Sequence, residues 1–402
     1  MRSITNYLAA ISGNILKHYD QSVYGFLIPF LAPLFFPHED PVYSLLAAFA
    51  LLPLGFIAKP LGAYVFGYFG DRYGRKKCLV VTLFGMGCTT ASIGCLPSFE
   101  EAGWTAPLLL GLFRLAQSFF AAGETTGGAL FLLEQTTAKK RGLMSSLFDA
   151  SGILGVLMAA VGVYILGQTH WRWLFWIGGV SAILGLMLRK TTSETYIAPE
   201  KKTWSRSDWA SMLTIAAVSG FSYANYYLLF TFLTSFLPLV SHVSAQEALA
   251  LNTLLLSIDF LLLPCFGYLS LHISKEKLIL TATMLGAMLT YPLFLLLDGA
   301  SAWTAAGVRV AFTVIGVCLA APYHAWAMET APEEKRFTIC SMGSAVGGRL
   351  IGAPMPILSL WLYHQTGSVG AAGIPLVLTA LLASGAIILS KRAVVINSSS
   401  TL

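Results

Sequence analysis

Three carboxylates lie inside segments that are otherwise almost entirely apolar: Asp20, Glu124 and Asp259. A carboxylate in a water-poor cavity can bind and release a proton near working pH, so these residues are candidates for proton carriage. For Asp20 and Glu124, a fixed ion pair between helices is the alternative. Arg114 and Arg349 lie in similar segments. Because a guanidinium binds a carboxylate through two parallel hydrogen bonds, both are candidates for holding a substrate carboxylate.

Aromatic side chains accompany these charges and could line the same cavity. A ring face attracts a quaternary ammonium group through cation–π contact. The candidate rings are Tyr24, Tyr223, Tyr226, Tyr227 and Trp326. Ordinary helix packing is the alternative for each ring. His324 could relay a proton, or it could be a hydrogen-bonded packing residue.

A cassette of charged residues occurs twice, with the pattern R-x19-E-x6-R. The two copies are 195 residues apart and consist of Arg114, Glu134 and Arg141, and of Arg309, Glu329 and Arg336. A related segment lies upstream of each copy, GYFGDRYGRKK from Gly67 and GYLSLHISKEK from Gly267. The chain therefore consists of two copies of one ancestral half. Internal repeats with charges inside membrane helices are typical of secondary transporters.

Membrane-spanning helices must position these charges. The chain of 402 residues is 56% hydrophobic and only 11% charged, whereas a soluble domain carries about 25% charged residues. A helix needs about 20 mostly apolar residues to span a bilayer. The sequence predicts twelve such helices, at 12–36, 43–69, 78–97, 105–134, 143–167, 171–188, 209–240, 246–271, 277–297, 302–330, 338–364 and 369–390.

The distribution of Lys and Arg predicts the orientation of these helices. Of the 25 basic residues, 19 fall at the termini, in even-numbered gaps between helices or, for Lys277, at the first residue after such a gap, and none falls in an odd-numbered gap. Cytoplasmic loops carry such an excess, so we expect both termini and the central loop in the cytoplasm. The net charge of +6 therefore reflects orientation and not a nucleic-acid partner. We expect six-helix bundles at 1–188 and 209–402, joined by a cytoplasmic linker at 189–208.

The upstream segment of the first copy resembles the signature loop of the major facilitator superfamily, G-x-L-a-D-r-x-G-r-k. The matching residues are Gly67, Asp71, Gly74, Arg75 and Lys76. The resemblance implies that this loop gates the cytoplasmic side and does not bind substrate. Its aspartate can face a helix N-terminus or a nearby cation. In the second copy Leu271 replaces the aspartate, so a weaker clamp is expected there.

The remaining cassette residues extend this cytoplasmic gate. They lie at the cytoplasmic ends of the fourth and tenth predicted helices, and they are Glu134, Arg141, Glu329 and Arg336. We expect them to form gate ion pairs with Asp71. Their recurrence in both halves supports this interpretation.

Further motifs are similar to the metabolite:proton symporter branch of the superfamily, which includes proline/glycine-betaine transporters and citrate, α-ketoglutarate and shikimate permeases. The matching stretches are G-N at 13, Y-D at 19, K-P-L-G at 59, G-E at 123 and K-R-G at 140. The stretch from Arg141 to Gly152 and the tyrosine pair at 226–227 resemble the proline/betaine type. The branch has a glutamate where this chain has Lys17. This exchange could favour a carboxylate-bearing substrate, or Lys17 could extend to the cytoplasmic interface.

The resemblance implies an all-α membrane protein with twelve transmembrane helices in two pseudo-symmetric six-helix bundles. It also implies a substrate site at the midplane between the bundles and alternating access. The expected function is proton-coupled uptake of a small polar metabolite. The leading candidate substrate is a zwitterionic osmolyte such as proline or glycine betaine. Organic acids and siderophore-like carboxylates are the alternatives. The implied partners are the substrate, protons and the lipid bilayer, with a functional monomer in the bacterial inner membrane.

Enzymes and sensors are the rival functional classes. The sequence contains no Walker A, HExxH or CxxCH motif, so no cofactor or catalytic metal is expected. An enzyme would need a nucleophile–base set or a metal, and neither is found. A sensor usually carries a large soluble appendage, whereas the longest polar stretch here is the linker at 189–208.

Overall fold

The computed structural model describes residues 2–39, 41–51, 54–167, 169–190, 194 and 203–399. Within these ranges every regular element is a helix, which confirms the predicted all-α class. Helices suit apolar segments of this kind because a helix satisfies its own backbone hydrogen-bonding groups without water.

The helices of the first half include one predicted span that is divided. The span predicted at 43–69 consists of two helices, and Pro53 lies between them in the sequence. The α-helices are α1 (Arg2–Phe35), α2 (Pro41–Phe49), α3 (Leu54–Tyr73), α4 (Arg75–Gly94), α5 (Phe99–Ala102), α6 (Thr105–Leu133), α7 (Arg141–Leu166) and α8 (Trp171–Lys190).

The second half contains two π-helical turns, at Leu228–Phe232 and Gly347–Gly352. They interrupt the spans predicted at 209–240 and 338–364. The α-helices of this half are α9 (Arg206–Tyr227), α10 (Leu233–Val240), α11 (Ala245–Leu269), α12 (Lys275–Leu295), α13 (Ala302–Thr330), α14 (Arg336–Val346), α15 (Met355–Thr366) and α16 (Ile374–Ser399).

The helices are long and apolar enough for a membrane protein. Among the described residues, nine helical segments could cross a membrane by length and composition, and Trp171–Met187 is a shorter apolar helix. Together with α1 and the α2–α3 pair, they account for the twelve predicted spans.

The chain divides into two compact units. The first unit consists of Met1–Thr136, Ser151–Glu200 and Glu333–Ser341, and the second consists of Thr137–Ala150, Lys201–Pro332 and Met342–Leu402. The bundle boundaries at 188 and 209 remain a prediction. Most of the predicted linker, at 191–193 and 195–202, lies outside the described residues.

Small residues bring helices close together in the first unit. A Cβ at Gly87 on α4 would lie 2.6 Å from the Cβ of Ala182 on α8. A Cβ at Gly179 would likewise lie 2.9 Å from the Cβ of Ala91. Glycine therefore allows α4 and α8 to pack backbone against backbone, as membrane helices commonly do.

Candidate functional site

A buried carboxylate on α3 caps the start of α14 within the first unit. Asp71 Oδ1 accepts a hydrogen bond from the Phe337 N–H at 3.0 Å. Asp71 Oδ2 accepts from the N–H and the hydroxyl of Thr338 at 2.8 and 2.7 Å. The first N–H groups of a helix have no partner within the helix, and a negative charge near them is favourable. Asp71 therefore satisfies donors that α14 cannot satisfy itself.

Arg75 joins this carboxylate to the end of α6. Its guanidinium lies 2.7 Å from Asp71 Oδ1 and 3.2 Å from Glu134 Oε1. The guanidinium also lies over the Phe337 ring, 5.2 Å from its centroid. All three charged side chains are buried, and Arg75 is completely so. Electrostatic attraction is strong where water is excluded, so this triad holds α3, α4 and α6 together.

Two glycines of the signature loop allow these elements to meet. A Cβ at Gly67 would lie 2.7 Å from the Cα of Thr338, so a larger residue would separate α3 from α14. Gly74 has φ 104° and ψ 153°. This backbone region is essentially restricted to glycine. Because α4 begins at the next residue, Gly74 makes the turn that places Arg75 beside α3.

The second copy forms a related but more exposed pairing in the second unit. Glu329 Oε1 lies 3.0 Å from Lys275 Nζ and 3.6 Å from Arg141 Nη1. By the repeat, Lys275 and Glu329 correspond to Arg75 and Glu134. The Glu329 side chain is 36% exposed, whereas that of Glu134 is 8% exposed. Water screens the second pairing more strongly.

Asp71 contacts a different set of residues from the one that the sequence predicts. Its ion-pair partner is Arg75, and Glu134 joins the group through that arginine, since two carboxylates repel each other. Arg141 pairs with Glu329 instead. Among the ion pairs of the described residues, none includes Arg336.

Glu124 is completely buried and forms a two-point ion pair with Arg189 of α8. Arg189 Nη1 lies 3.1 Å from Glu124 Oε2, and Arg189 Nη2 donates to Oε1. The Thr82 hydroxyl donates to Oε2 at 3.1 Å. A Cβ at Gly13 would collide with both partners, so glycine on α1 leaves the space that the pair occupies. This geometry matches the interhelical ion pair, the alternative stated for Glu124.

Among the residues around Glu124, Arg189 is the one that the sequence did not identify as a buried partner. It falls in the predicted linker at 189–208, but α8 continues to Lys190 and the Arg189 side chain is buried. The available signal is a stripe of small residues at helical spacing, Gly178, Ala182 and Gly185. Because this face packs against neighbouring helices, the next residue of the stripe, at 189, must also be buried.

A chain of hydrogen bonds links Asp20 to Arg114 inside the first unit. Thr90 Oγ1 donates to Asp20 Oδ2 at 3.1 Å, and Gln117 Nε2 donates to Thr90 Oγ1 at 2.7 Å. Arg114 Nη1 donates to the Gln117 side-chain oxygen. The Arg114 guanidinium lies 4.1 Å from the centroid of the Tyr24 ring. All five residues are buried, and Asp20 Oδ1 has no hydrogen-bond partner among the described residues.

Lys17 is buried on α1, about one turn before Asp20, where the chain of hydrogen bonds begins. Lys17 is only 4% exposed, and its Nζ lies 3.2 Å from His18 Nε2. The ammonium group therefore does not extend to the protein surface, in contrast to the interfacial alternative.

Arg349 and a group of tyrosines come together in the second unit. Arg349 Nη1 donates to the Tyr227 hydroxyl at 3.3 Å, and Tyr223 lies one helical turn before Tyr227 on α9. The rings of Tyr226 and Tyr227 meet at 78°, with centroids 6.2 Å apart. Tyr226 is 45% exposed, so part of its side chain is accessible.

A π-helical turn lies in or directly after each of the two chain segments that carry these residues. Tyr227 directly precedes the turn Leu228–Phe232, and Arg349 lies within the turn Gly347–Gly352. A Cβ at Gly348 would lie 2.8 Å from the Tyr223 ring, so glycine lets the second turn pack directly on α9. Isolated π-turns inside α-helices occur frequently at functional sites.

The same unit also carries acidic groups, Asp259 on α11 and Asp149 on α7. His324 Nε2 lies 3.0 Å from Asp149 Oδ1. The Phe148 ring packs edge-on against the His324 ring, with centroids 5.6 Å apart. The histidine that the sequence leaves as a relay or a packing residue is thus paired with an acid.

The predicted binding residues fall into two groups. Tyr24 and Arg114 meet in the first unit, and Tyr226 and Arg349 lie in the same aromatic group of the second. Trp326 is buried in the second unit. In the part of the chain that the structure describes, no group of three His, Cys, Asp or Glu side chains is arranged to hold a metal ion.

Comparison with known proteins gives consistent matches. The family model described as Major Facilitator Superfamily matches residues 11–356. The proline/betaine transporter of Escherichia coli K12 is 31% identical over 320 residues, which cover 72% of this chain and 64% of that protein. The chain thus spans less than two thirds of that relative. The citrate-proton symporter of Salmonella typhi is 28% identical over 389 residues, covering 91% of this chain and 89% of that protein.

Solved structures agree in fold. The Escherichia coli fucose:proton symporter superposes with a TM-score of 0.73 at 13% identity, covering 97% of this chain and 99% of that chain. This likeness confirms the predicted twelve-helix fold.

Proposed function

The chain belongs to the Major Facilitator Superfamily, and we propose that it is a secondary active transporter that takes up a small zwitterionic osmolyte together with protons. Its relatives are transporters and not enzymes. It is a multi-pass membrane protein. Proline and glycine betaine are the leading substrates, and the bacterial inner membrane with cytoplasmic termini is the proposed location.

The observation that carries this proposal is the arrangement around Arg349 in the second unit. Its guanidinium, beside the Tyr227 hydroxyl, can bind a carboxylate. The accessible ring of Tyr226 can receive a quaternary ammonium group by cation–π contact. The carboxylate of Asp259, on α11 of the same unit, can attract the same positive charge. A positive group, aromatic rings and a negative group in one unit complement a molecule that carries both charges.

The relatives support the same class of substrate. A proline/betaine transporter is 31% identical over 72% of this chain. A second relative, described as a glycine betaine/proline/ectoine/pipecolic acid transporter from Dickeya dadantii, is also 31% identical over 72% of the chain. All four named compounds carry a carboxylate beside a cationic or polar nitrogen-containing group.

We assign proton carriage to Asp20 and Asp259 ahead of Glu124. Protonating Glu124 would leave the buried charge of Arg189 unbalanced, which is strongly unfavourable. Asp20 has one oxygen without a hydrogen-bond partner among the described residues. Asp259 has no ion pair within the described part of the chain. Asp259 can therefore gain a proton without stranding a paired arginine, and Asp20 can gain one without breaking a direct ion pair.

We assign the cytoplasmic gate to the two copies of the charged cassette. The Asp71–Arg75–Glu134 triad is the stronger half, since it is buried and also caps α14. The Lys275–Glu329–Arg141 group is the weaker half, since it is more exposed and lacks an aspartate.

Uptake by proteoliposomes tests the proposed function. The purified protein is reconstituted and supplied with radiolabelled proline, glycine betaine, citrate or α-ketoglutarate, with and without an inward proton gradient. We expect gradient-driven accumulation of proline or betaine that a protonophore abolishes. Arg349→Lys keeps the charge but loses the planar fork, so the KM should rise by about tenfold. Accumulation that ignores the proton gradient contradicts the coupling, and no zwitterion uptake contradicts the substrate class.

Organic-acid transport is the second candidate function. The citrate-proton symporter aligns with 91% of this chain and 89% of its own length, so the similarity extends through both halves. Lys17 also supplies a buried positive charge in α1. Citrate uptake without zwitterion uptake in the same panel would favour this candidate. If Lys17 sets the substrate charge, Lys17→Glu shifts selectivity toward betaine, and unchanged selectivity excludes that role.

A further inference from the structure

Arg309 is a completely buried cation without an acidic partner among the described residues of the second unit. Its Nη1 donates to the Ala248 carbonyl at 3.0 Å, and its Nη2 donates to the Leu229 carbonyl at 3.1 Å. Nη2 also contacts the Asn252 side-chain oxygen. Burying a charge without a counter-charge is expensive, so the bonds to backbone carbonyls must hold it there.

The Ala248 carbonyl belongs to α11, whereas the Leu229 carbonyl belongs to a π-turn. Leu229 lies in the turn Leu228–Phe232. The next carbonyl, that of Phe230, accepts from Asn252 Nδ2 at 3.0 Å and from the Thr234 hydroxyl at 3.1 Å. The same hydroxyl lies 3.4 Å from Arg309 Nη2. Arg309, Asn252 and Thr234 therefore form a clamp on two consecutive carbonyls, which we call the Arg309 clamp.

The Arg309 clamp is joined to the aromatic group around Arg349. The ring of Phe230 packs against the ring of Tyr226, with centroids 4.8 Å apart. Tyr227 directly precedes the clamped turn. On α11, Asn252 and Asp259 are seven residues apart, or about two turns, so they share one face of the helix. A shift of the clamp would therefore move both the rings and the helix that carries the acid.

We propose that Arg309 is a positioning residue for substrate selection, which fixes the π-turn so that Tyr226 and Tyr227 can receive a quaternary ammonium group beside Arg349. Arg309 does not touch the substrate. This inference rests on the proposed transport of zwitterions and deepens it, because it identifies what sets the preference between a fully methylated and a secondary ammonium group.

The repeat provides an internal contrast. Arg114 is the counterpart of Arg309 in the first cassette. Arg114 binds the side chain of Gln117 and lies against the Tyr24 ring, whereas Arg309 binds main-chain carbonyls. The same inherited arginine therefore binds a side chain in the first half, whereas in the second half it also binds backbone carbonyls of α11 and of a π-turn.

The test compares two clamp variants with a matched control. Arg309→Lys keeps a positive charge but cannot bind two carbonyls as a rigid fork, and Thr234→Val removes one bond to the Phe230 carbonyl. Thr313→Ala is the control. Thr313 is buried one turn along α13, and its hydroxyl donates only to the Arg309 main-chain carbonyl at 3.0 Å. Uptake gives KM and Vmax for betaine and proline, and amide hydrogen exchange reports on residues 226–234.

In the clamp variants we expect the KM for betaine to rise by about tenfold, the effect of losing roughly one hydrogen bond to a charged group. The KM for proline should rise less, because proline retains N–H groups that can find other acceptors. Hydrogen exchange across 226–234 should accelerate. The control should match the wild type in both measurements.

The outcomes separate this inference from the proposed function. A changed ratio of the two KM values with accelerated exchange supports the positioning role. Equal changes in both KM values, or unchanged exchange, overturn it, because a merely structural arginine would lower the amount of folded protein without altering the ratio. If the wild type transports neither compound, the proposed substrate class fails. Hydrogen exchange alone then tests the clamp. Unchanged exchange in the clamp variants overturns it, and faster exchange in those variants but not in the control supports it.

Discussion

Glu124→Gln separates a fixed ion pair from a proton carrier. Both oxygens of Glu124 contact Arg189, and Thr82 donates a further hydrogen bond at 3.1 Å. The pair is withdrawn from solvent, with side-chain exposures of 3% for Arg189 and 0% for Glu124. Glutamine keeps the shape of glutamate and one acceptor oxygen, but it removes the charge that balances the arginine.

The expected loss of stability follows from this burial. Removing one partner of a buried ion pair costs about 3–5 kcal/mol, because the other charge is left uncompensated. Glutamine retains one hydrogen bond, so we expect about 3 kcal/mol for Glu124→Gln. Replacing both residues by glutamine removes the unbalanced charge. The double variant should therefore be more stable than Glu124→Gln alone, by roughly 2 kcal/mol.

A double-mutant cycle measures this coupling directly. Unfolding free energies of the wild type, Glu124→Gln, Arg189→Gln and the double variant are determined by denaturation in mixed detergent micelles. The same four proteins are assayed for gradient-driven uptake and for substrate exchange. A fixed pair predicts that the double variant recovers stability and uptake together. Loss of uptake with intact exchange in both Glu124 variants would instead identify a proton carrier, and a coupling energy below about 1 kcal/mol would refute the reasoning from the geometry.

Three further predictions concern the gate and the aromatic group. Asp71→Asn should cost about 3 kcal/mol of unfolding free energy in detergent, whereas Glu329→Gln in the more exposed copy should cost less than about 1 kcal/mol; equal costs would contradict the assigned asymmetry. Gly74→Ala imposes a φ of 104° on alanine and should cost about 1–3 kcal/mol in the same assay. Its control, Gly25→Ala, places a Cβ with no atom within 4 Å and should be tolerated. Tyr227→Phe removes a hydroxyl bonded to a guanidinium and should raise the KM for the transported zwitterion by about tenfold; an unchanged KM would exclude that hydroxyl from binding.

The fold could be predicted from the sequence because its main determinants are local. Each helix in lipid must satisfy its own backbone groups, so a long apolar stretch indicates a span without knowledge of its neighbours. The role of Asp71 was also accessible, since a carboxylate in a loop between helices has few favourable partners other than a helix start or a cation. The structure provides both, in α14 and Arg75.

The partners of the buried charges could not be predicted in the same way. Pairing between helices depends on which faces meet, and hydropathy averages over all faces of a helix. Arg189 therefore looked like one more basic residue of a loop, although it balances Glu124. The π-turns could not be predicted from the sequence for a related reason. One extra residue in a turn rotates the following face by about a quarter turn, and the composition of an apolar segment does not record this.

The two copies of the cassette conserve their arginines but distribute the counter-charges differently. In the first unit Arg114 is linked to Asp20 through Gln117 and Thr90, so the positive and negative charges lie within one hydrogen-bonded chain. In the second unit backbone carbonyls occupy Arg309. Asp259 likewise has no ion-pair partner among the described residues. A duplicated half that satisfies its buried arginine with main-chain oxygens keeps its acid available for a cationic substrate group or a proton.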